Sequence, residues 1–166
     1  ESYSEDSLLF TQSNDWVSFC NDSFAANISS SLPAEGLQYL EINSVDGLNS
    51  FKRDFDIDGN AYDLSFKMYV PFGRSASYTI YHDATCYSST AAYNIQFNVD
   101  GQGYINAAGQ NTPFDFPQNT WFTVNQLIDM DRDIVEFSIA NQVIHTWNFS
   151  STINSVNGTS VLDAIV

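Results

Sequence analysis

Apolar residues in this chain recur at alternate positions and show no helical period. The clearest run is 121–149, WFTVNQLIDMDRDIVEFSIANQVIHTWNF. There Phe122, Val124 and Ile128, then Val135, Phe137 and Ile139, then Val143, His145, Trp147 and Phe149 keep one phase. Successive side chains of a strand point to opposite faces, so period two predicts three strands, each with one buried face. The connections, Asp129 to Asp133 and Ala140-Asn141-Gln142, are too short for anything but tight antiparallel turns, and the stretch reads as a β-meander.

The same alternation extends over most of the sequence. From Tyr62 to Val70, Leu64, Phe66, Met68 and Val70 oppose Asp63, Ser65, Lys67 and Tyr69; from Ala91 to Val99, Tyr93, Ile95, Phe97 and Val99 oppose Ala92, Asn94, Gln96 and Asn98. Shorter strands are expected at Asp15 to Cys20, Phe24 to Ile28, Gln38 to Ile42, Ser50 to Ile57, Ser77 to Asp83 and Tyr104 to Ala107, with Cys86 to Thr90 as a loop. Asp46-Gly47, Asp58-Gly59, Asp100-Gly101 and Asn157-Gly158 punctuate them as turns in which glycine tolerates φ > 0. Roughly ten or more short strands of this kind imply an all-β chain, folded as an antiparallel two-sheet β-sandwich of jelly-roll type. Residues 1–166 show no repeat or linker and read as one module, with the apolar run Val161 to Val166 pairing back near the first strand.

Composition narrows the function classes. The chain is 43% hydrophobic and 15% aromatic, enough for a packed interior, and its 20 acidic against 5 basic residues give a formal net charge of −15. Such a surface repels nucleic-acid phosphates and anionic lipid, while neutral ligands and divalent cations, calcium above all, remain compatible. No apolar run reaches the ~18 residues of a membrane helix, so membrane insertion is not expected. Polarity supplied by Asn, Gln, Ser and Thr rather than Lys suits an extracellular β-protein, and a start at Glu1 suggests a mature piece of something longer. Cys20 and Cys86 are the two cysteines: either they close a disulfide in an oxidising compartment or they are two unpaired buried thiols.

Catalytic constellations are scarce. A glycosidase needs two carboxylates across a cleft, but Glu1, Glu5, Glu35, Glu41 and Glu136 are scattered, and Gln142-Val-Ile-His145 has the wrong spacing for a lyase. His145 shares a phase with Val143 and Trp147 and reads as a core or rim histidine; His82, near the end of its strand, is expected to be better exposed. No nucleophile motif, phosphate loop or zinc cluster accompanies them, so a sandwich-fold hydrolase or lyase is the least favoured class.

Two binding chemistries are better represented. Asp54, Asp56 and Asp58 with Gly59 match the first half of a calcium loop, although Ser65 stands where the bidentate Glu belongs; a strand ending at an Asp-Gly turn explains the same residues. Asp129, Asp131 and Asp133 read as a solvated turn. The second chemistry is a ligand face. The sides opposite the core present Ser65, Lys67 and Tyr69, then Thr79, Tyr81 and Asp83, then Asn94, Gln96 and Asn98, with the loop from Tyr87 to Ala92 at the border. Amides hydrogen-bond sugar hydroxyls and rings cover a sugar's C–H face, so this display suits a neutral glycan; a solvated sheet face has the same composition.

The Trp16 strand, Leu37 to Ile42, Leu64 to Val70 and above all the Trp121 to Trp147 meander resemble the concanavalin A-like, laminin G-like jelly-roll modules of secreted multi-domain bacterial proteins. The chain departs from their pattern in having Ala140-Asn141-Gln142 in place of an Asn-Gly turn and Gln126 at an apolar position. The resemblance implies a non-catalytic module beside a peptidase or polysaccharide-degrading domain, with a structural calcium between the first and last strands, for which Glu1 and Asp163 are the available ligands. Such modules include carbohydrate binders, adhesion domains and structural spacers; the polar and aromatic face and the missing catalytic pair make carbohydrate binding through Lys67, Tyr69, Tyr81, Asp83, Tyr87, Asn94, Gln96 and Asn98, or surface attachment, the leading expectation. A protein-interaction or accessory domain of a secreted peptidase is the alternative.

Overall fold

The computed structural model describes residues 3–20, 26–42 and 51–166. Its strands are β1 Trp16–Ser18, β2 Asn27–Ser29, β3 Tyr39–Glu41, β4 Phe51–Asp58, β5 Ala61–Tyr69, β6 Ala76–Asp83, β7 Thr90–Phe97, β8 Gln102–Ala107, β9 Gln110–Asp115, β10 Trp121–Asp129, β11 Ile134–Ile139, β12 Gln142–Trp147 and β13 Val161–Ile165. One helical turn, α1 Leu9–Gln12, precedes them, in a segment for which the sequence pattern offers no helix. The strands form a seven-stranded sheet in the order β1-β4-β13-β6-β7-β8-β9, a four-stranded sheet β12-β11-β10-β5, and the pair β2-β3, all antiparallel. The all-β sandwich expected from the alternation is what forms.

The two larger sheets pack face to face. Ile80, Tyr93, Ile95, Phe97 and Ile105 from one and Val124, Ile128, Val135 and Phe137 from the other are at most 1% exposed. Each such side chain withdrawn from water contributes roughly 1.5–3 kcal/mol before chain entropy is subtracted. Rings lock the layers across the gap: Phe66 on Tyr78 at 5.5 Å, Phe97 on Phe122 at 5.9 Å, Phe114 on Phe137 at 5.4 Å and Tyr93 on Trp147 at 4.9 Å. A smaller cluster of Leu9, Ala26 and Ile28 sits under Tyr3 and Leu40, and Trp16 packs against both clusters. The disulfide Cys20–Cys86 ties this N-terminal part to the loop after β6, which decides between the two readings of the cysteines.

Several local expectations are corrected. Strand β9 carries little alternation and contains Pro113; it is the edge strand, where a missing N–H leaves no ladder bond unmade. Gly103 on β8 makes room for its neighbour: a Cβ there would lie 2.2 Å from the Phe114 ring and 2.7 Å from the Gln96 carbonyl. Val99 was expected inside with Phe97 but is 57% exposed, because β7 ends at Phe97 and the chain turns. The β11–β12 register shifts after Phe137, so Ile144 packs against the core while Val143 is 52% exposed. Gly158 has no positive φ; it is small because His82 lies against it. Asp46-Gly47 lies outside the described residues.

Candidate functional site

The expected ligand residues do not share one face. Lys67 and Tyr69 are on β5, in the four-stranded sheet, whereas Tyr81 and Asp83 on β6 and Asn94 and Gln96 on β7 belong to the seven-stranded sheet. Consecutive strands β5 and β6 cross from one layer to the other, so their outer faces look in opposite directions. Lys67 pairs with Glu35, and the Lys67 ammonium holds the Glu35 carboxyl below its ordinary range by hydrogen bonding and charge. Tyr69 lies 5.5 Å from Trp121, which Tyr39 meets edge-on at 5.9 Å and whose Nε1 donates to the Leu32 carbonyl at 3.2 Å. Those contacts hold the 30–41 segment over one end of the four-stranded sheet. Tyr87 is fully exposed beside Cys86 in the loop that joins β6 to β7.

The outer face of β6–β9 is assembled by register. One row runs Thr79, Asn94, Asn106, Asn111; the next runs Ser77, Gln96, Tyr104, Pro113. Alternate positions Tyr78, Ile80, Ile95, Phe97, Ile105 and Phe114 are buried in the core, which leaves these eight on the solvent side. The Asn94 amide donates to the Tyr78 carbonyl at 3.0 Å and to Thr79 Oγ1 at 2.9 Å, and Asn106 donates to Asn94 Oδ1 at 3.4 Å. This relay orients two amides, while Gln96, Asn111 and the Tyr104 hydroxyl face water with no internal hydrogen bond recorded among the described residues. Tyr81 is half-buried against Phe19 at 6.0 Å, and Asn98 sits in the turn closing β7–β8. Asn111 lies on β9, which the sequence pattern does not show, whereas Tyr104 and Asn106 lie on the expected strand from Tyr104 to Ala107 and join the face only through its register. The alternation of Tyr104 and Asn106 with Gly103, Ile105 and Ala107 was the available signal.

Charge is distributed around this face rather than on it. From Ser75 to Phe116 the acids are Asp83, Asp100 and Asp115, all at strand ends or turns, and neither Lys nor Arg occurs. A shallow recess lined by Gln102, Pro113, Phe114 and Asp115 opens at one end.

Most of the metal candidates sit on the paired strands β4 and β13. Asp54 and Asp58 lie on β4, where Asp54 pairs with Lys52 at 2.8 Å and Asp58 is exposed opposite Val161. Asp163 occupies the irregularity between Leu162 and Ala164 and accepts the Ala84 N–H at 2.6 Å. Glu1 and the side chain of Asp56 lie outside the described residues. No group of three or more His, Cys, Asp or Glu suited to a cation occurs among the described residues.

The acids of the β10–β11 turn are structural rather than solvated. Asp129, 6% exposed, accepts the Arg132 N–H at 2.8 Å and its guanidinium, which together hold its carboxyl below the usual range. Asp131 accepts the Asn60 N–H at 3.1 Å, and Asp133 accepts the Ser150 N–H at 2.7 Å and hydroxyl at 2.9 Å. His82 is also unlike its expectation: 4% exposed, it sets Nδ1 3.1 Å from the Val161 carbonyl and its ring edge-on to Phe149 at 4.8 Å. It keeps the inward phase of Tyr78 and Ile80, which encloses it in the core. His145 is half-buried and stacked on Trp147 at 5.7 Å, the rim position its phase suggests.

No protein-family model matches the sequence, and no curated protein matches it. Among solved structures, a sialidase superposes with a TM-score of 0.57 at 12% identity, over 96% of this chain and 14% of that chain. Sheep galectin-11 in complex with glycerol gives 0.48 at 13% identity, over 69% and 90% of the two chains. Ruminococcus gnavus IT-sialidase CBM40 bound to alpha2,3 sialyllactose gives 0.38 at 13% identity, over 67% and 64%. The chain spans about one-seventh of the sialidase's length, and the likeness to it is one of fold: a two-sheet β-sandwich.

Proposed function

We propose that this chain is a non-catalytic glycan-binding module of a secreted multi-domain protein, and that the outer face of β6–β9 is its binding platform. The observation that carries the reading is a charge-free array of amides, hydroxyls and a tyrosine ring on a chain whose net charge is −15. Amides exchange hydrogen bonds with water for hydrogen bonds with sugar hydroxyls, and the Tyr104 ring and Pro113 offer apolar surface to C–H groups. The module would raise the local concentration of an attached domain on its polymer, an effect of tethering that needs no bond chemistry. The disulfide supports an oxidising compartment.

The test is a glycan array, run with and without calcium because a structural cation stays a proposal for this chain. The wild type is expected to bind, and Gln96→Ala combined with Asn111→Ala, both exposed, is expected to lose binding while the melting temperature is unchanged. Wild type that binds no glycan in either condition ends this reading. A protein-interaction role is favoured instead by the exposed apolar side chains Leu32, Leu37 and Ile42 around β3, and capture of a partner abolished by Leu37→Ser would support it.

A further inference from the structure

We infer that the platform takes an internal run of an uncharged, unbranched polysaccharide laid across the strands, rather than a chain end, a single sugar or an anionic glycan. This rests on the glycan-binding reading above. Two rows run without a charged residue across all four strands, Thr79-Asn94-Asn106-Asn111 and Ser77-Gln96-Tyr104-Pro113. Strands lie about 4.8 Å apart, so four of them span ~14 Å, whereas two rows separated along a strand by two residues cover only ~7 Å. The two rows that are uncharged on all four strands therefore form a strip twice as long across the strands as along them, a length that matches roughly three sugar rings in an extended chain.

Its margins set what fits. The next row along the strands pairs Gln102 with Asp115, and on the opposite side Asp83 follows Tyr81, which is itself covered by Phe19. A polymer lying along β6 would meet Asp83 at one end, and one lying along β9 would meet Asp115. A carboxylated or sulfated chain would meet Asp83, Asp100 and Asp115 on a face whose own strands carry no Lys or Arg, Arg74 standing alone just before β6, and the whole-chain charge of −15 outweighs that one cation. Across the strands, one end opens past the edge strand β9, whose Asn111 and Pro113 are exposed. Among the described residues β9 is the edge of its sheet, so successive sugars can continue beyond it. Tyr104, half-buried and central in its row, supplies the stacking ring; Gln96 and Asn111 supply amides not already committed to the Thr79–Asn94–Asn106 relay.

Calorimetric titration separates the outcomes. The probes are linear glucan, mannan, xylan and galactan oligomers from monosaccharide to hexasaccharide, with alginate and polygalacturonate as anionic chains. Affinity for a neutral series is expected to rise at least about tenfold from monosaccharide to trisaccharide and then level off, with no binding of the anionic chains at low salt. Gln96→Asp, an exposed substitution that puts a charge in the middle of a row, is expected to weaken the neutral trisaccharide about tenfold or more without moving the melting temperature. A monosaccharide that binds as tightly as the trisaccharide, or an anionic chain that binds better than the neutral ones, overturns the inference and leaves glycan binding standing. Absence of binding to every probe and to the array overturns both.

Discussion

Cys86, on the exposed loop after β6, is bonded to Cys20 with the two Cα atoms 5.1 Å apart, and the bond closes a loop of 66 residues. The described residues of the N-terminal part it holds are also attached through the three-residue strand β1 on β4, the Asp15–Arg53 ion pair, the Trp16 side chain, the Phe19–Tyr81 ring contact and the contacts of the 30–41 segment with Lys67 and Trp121. A cross-link over so long a loop lowers the entropy of the unfolded chain, which corresponds to about 4 kcal/mol of stability. For a chain of this size that is on the order of 10 °C in melting temperature. Thermal unfolding with and without reductant, with Cys20→Ser/Cys86→Ser as control, should show that drop. An unchanged midpoint would mean that the bond constrains nothing the native contacts do not already hold.

The β11–β12 hairpin turns on Ala140 and Asn141, at φ 49° and 66°. Two-residue turns with both central φ values positive match the twist of the flanking strands, but a Cβ in that region costs roughly 1–2 kcal/mol for alanine and less for asparagine or glycine. Ala140 is exposed and makes no side-chain packing to lose. Ala140→Asn should therefore raise stability by roughly 0.5–1 kcal/mol in urea denaturation, with the slope unchanged. A lower midpoint would place Ala140 outside the left-handed region.

Much of this fold was legible because burial imposes period two. Ile95, Phe97, Val124 and Phe137 had to be inside for any register to work, and they are. What the pattern could not carry is the layer each strand joins: Tyr69 and Asn94 have the same outward phase, yet β5 and β7 lie in different sheets, and this divides the expected binding face. Phase also fails at irregularities. An extra residue at Ile144 reversed Val143. His82, expected at the surface from its place near the strand end, instead keeps the inward phase of Tyr78 and Ile80 and is buried. Strand β9 was invisible because an edge strand with Pro113 buries too few positions to alternate.

Gln126 is the departure from the pattern that the structure makes sharper. It sits on β10 between Val124 and Ile128, opposite Phe137 and Leu64, and is fully buried with neither amide atom bonded to a protein group. Replacing a buried amide by an apolar group of similar shape removes a desolvation cost of about 1–3 kcal/mol. Gln126→Met should raise the unfolding free energy by about 1 kcal/mol. A loss of stability would show that the amide holds partners inside the core, and hydrogen exchange at Val124 and Ile128 would then fall in protection as well.

Alkaline stability follows from Tyr78 and Tyr93. Both rings are buried, their hydroxyls have no partner, and burial raises both pKa values well above the ordinary tyrosine range. Below about pH 10 each is neutral in the folded and unfolded chain and titration contributes nothing. Above that pH the unfolded chain loses both protons while the folded one keeps them, so the folded state binds more protons and stability falls as pH rises. The slope is about 1.4 kcal/mol per pH unit for each tyrosine, roughly 3 kcal/mol at pH 11 for the pair. Urea denaturation at steps between pH 9 and about 11 should show it, and Tyr78→Phe with Tyr93→Phe should remove this share of the decline. Equal slopes in wild type and double variant would mean that both phenols ionise in the folded protein, which near-ultraviolet absorbance of the native state would reveal directly.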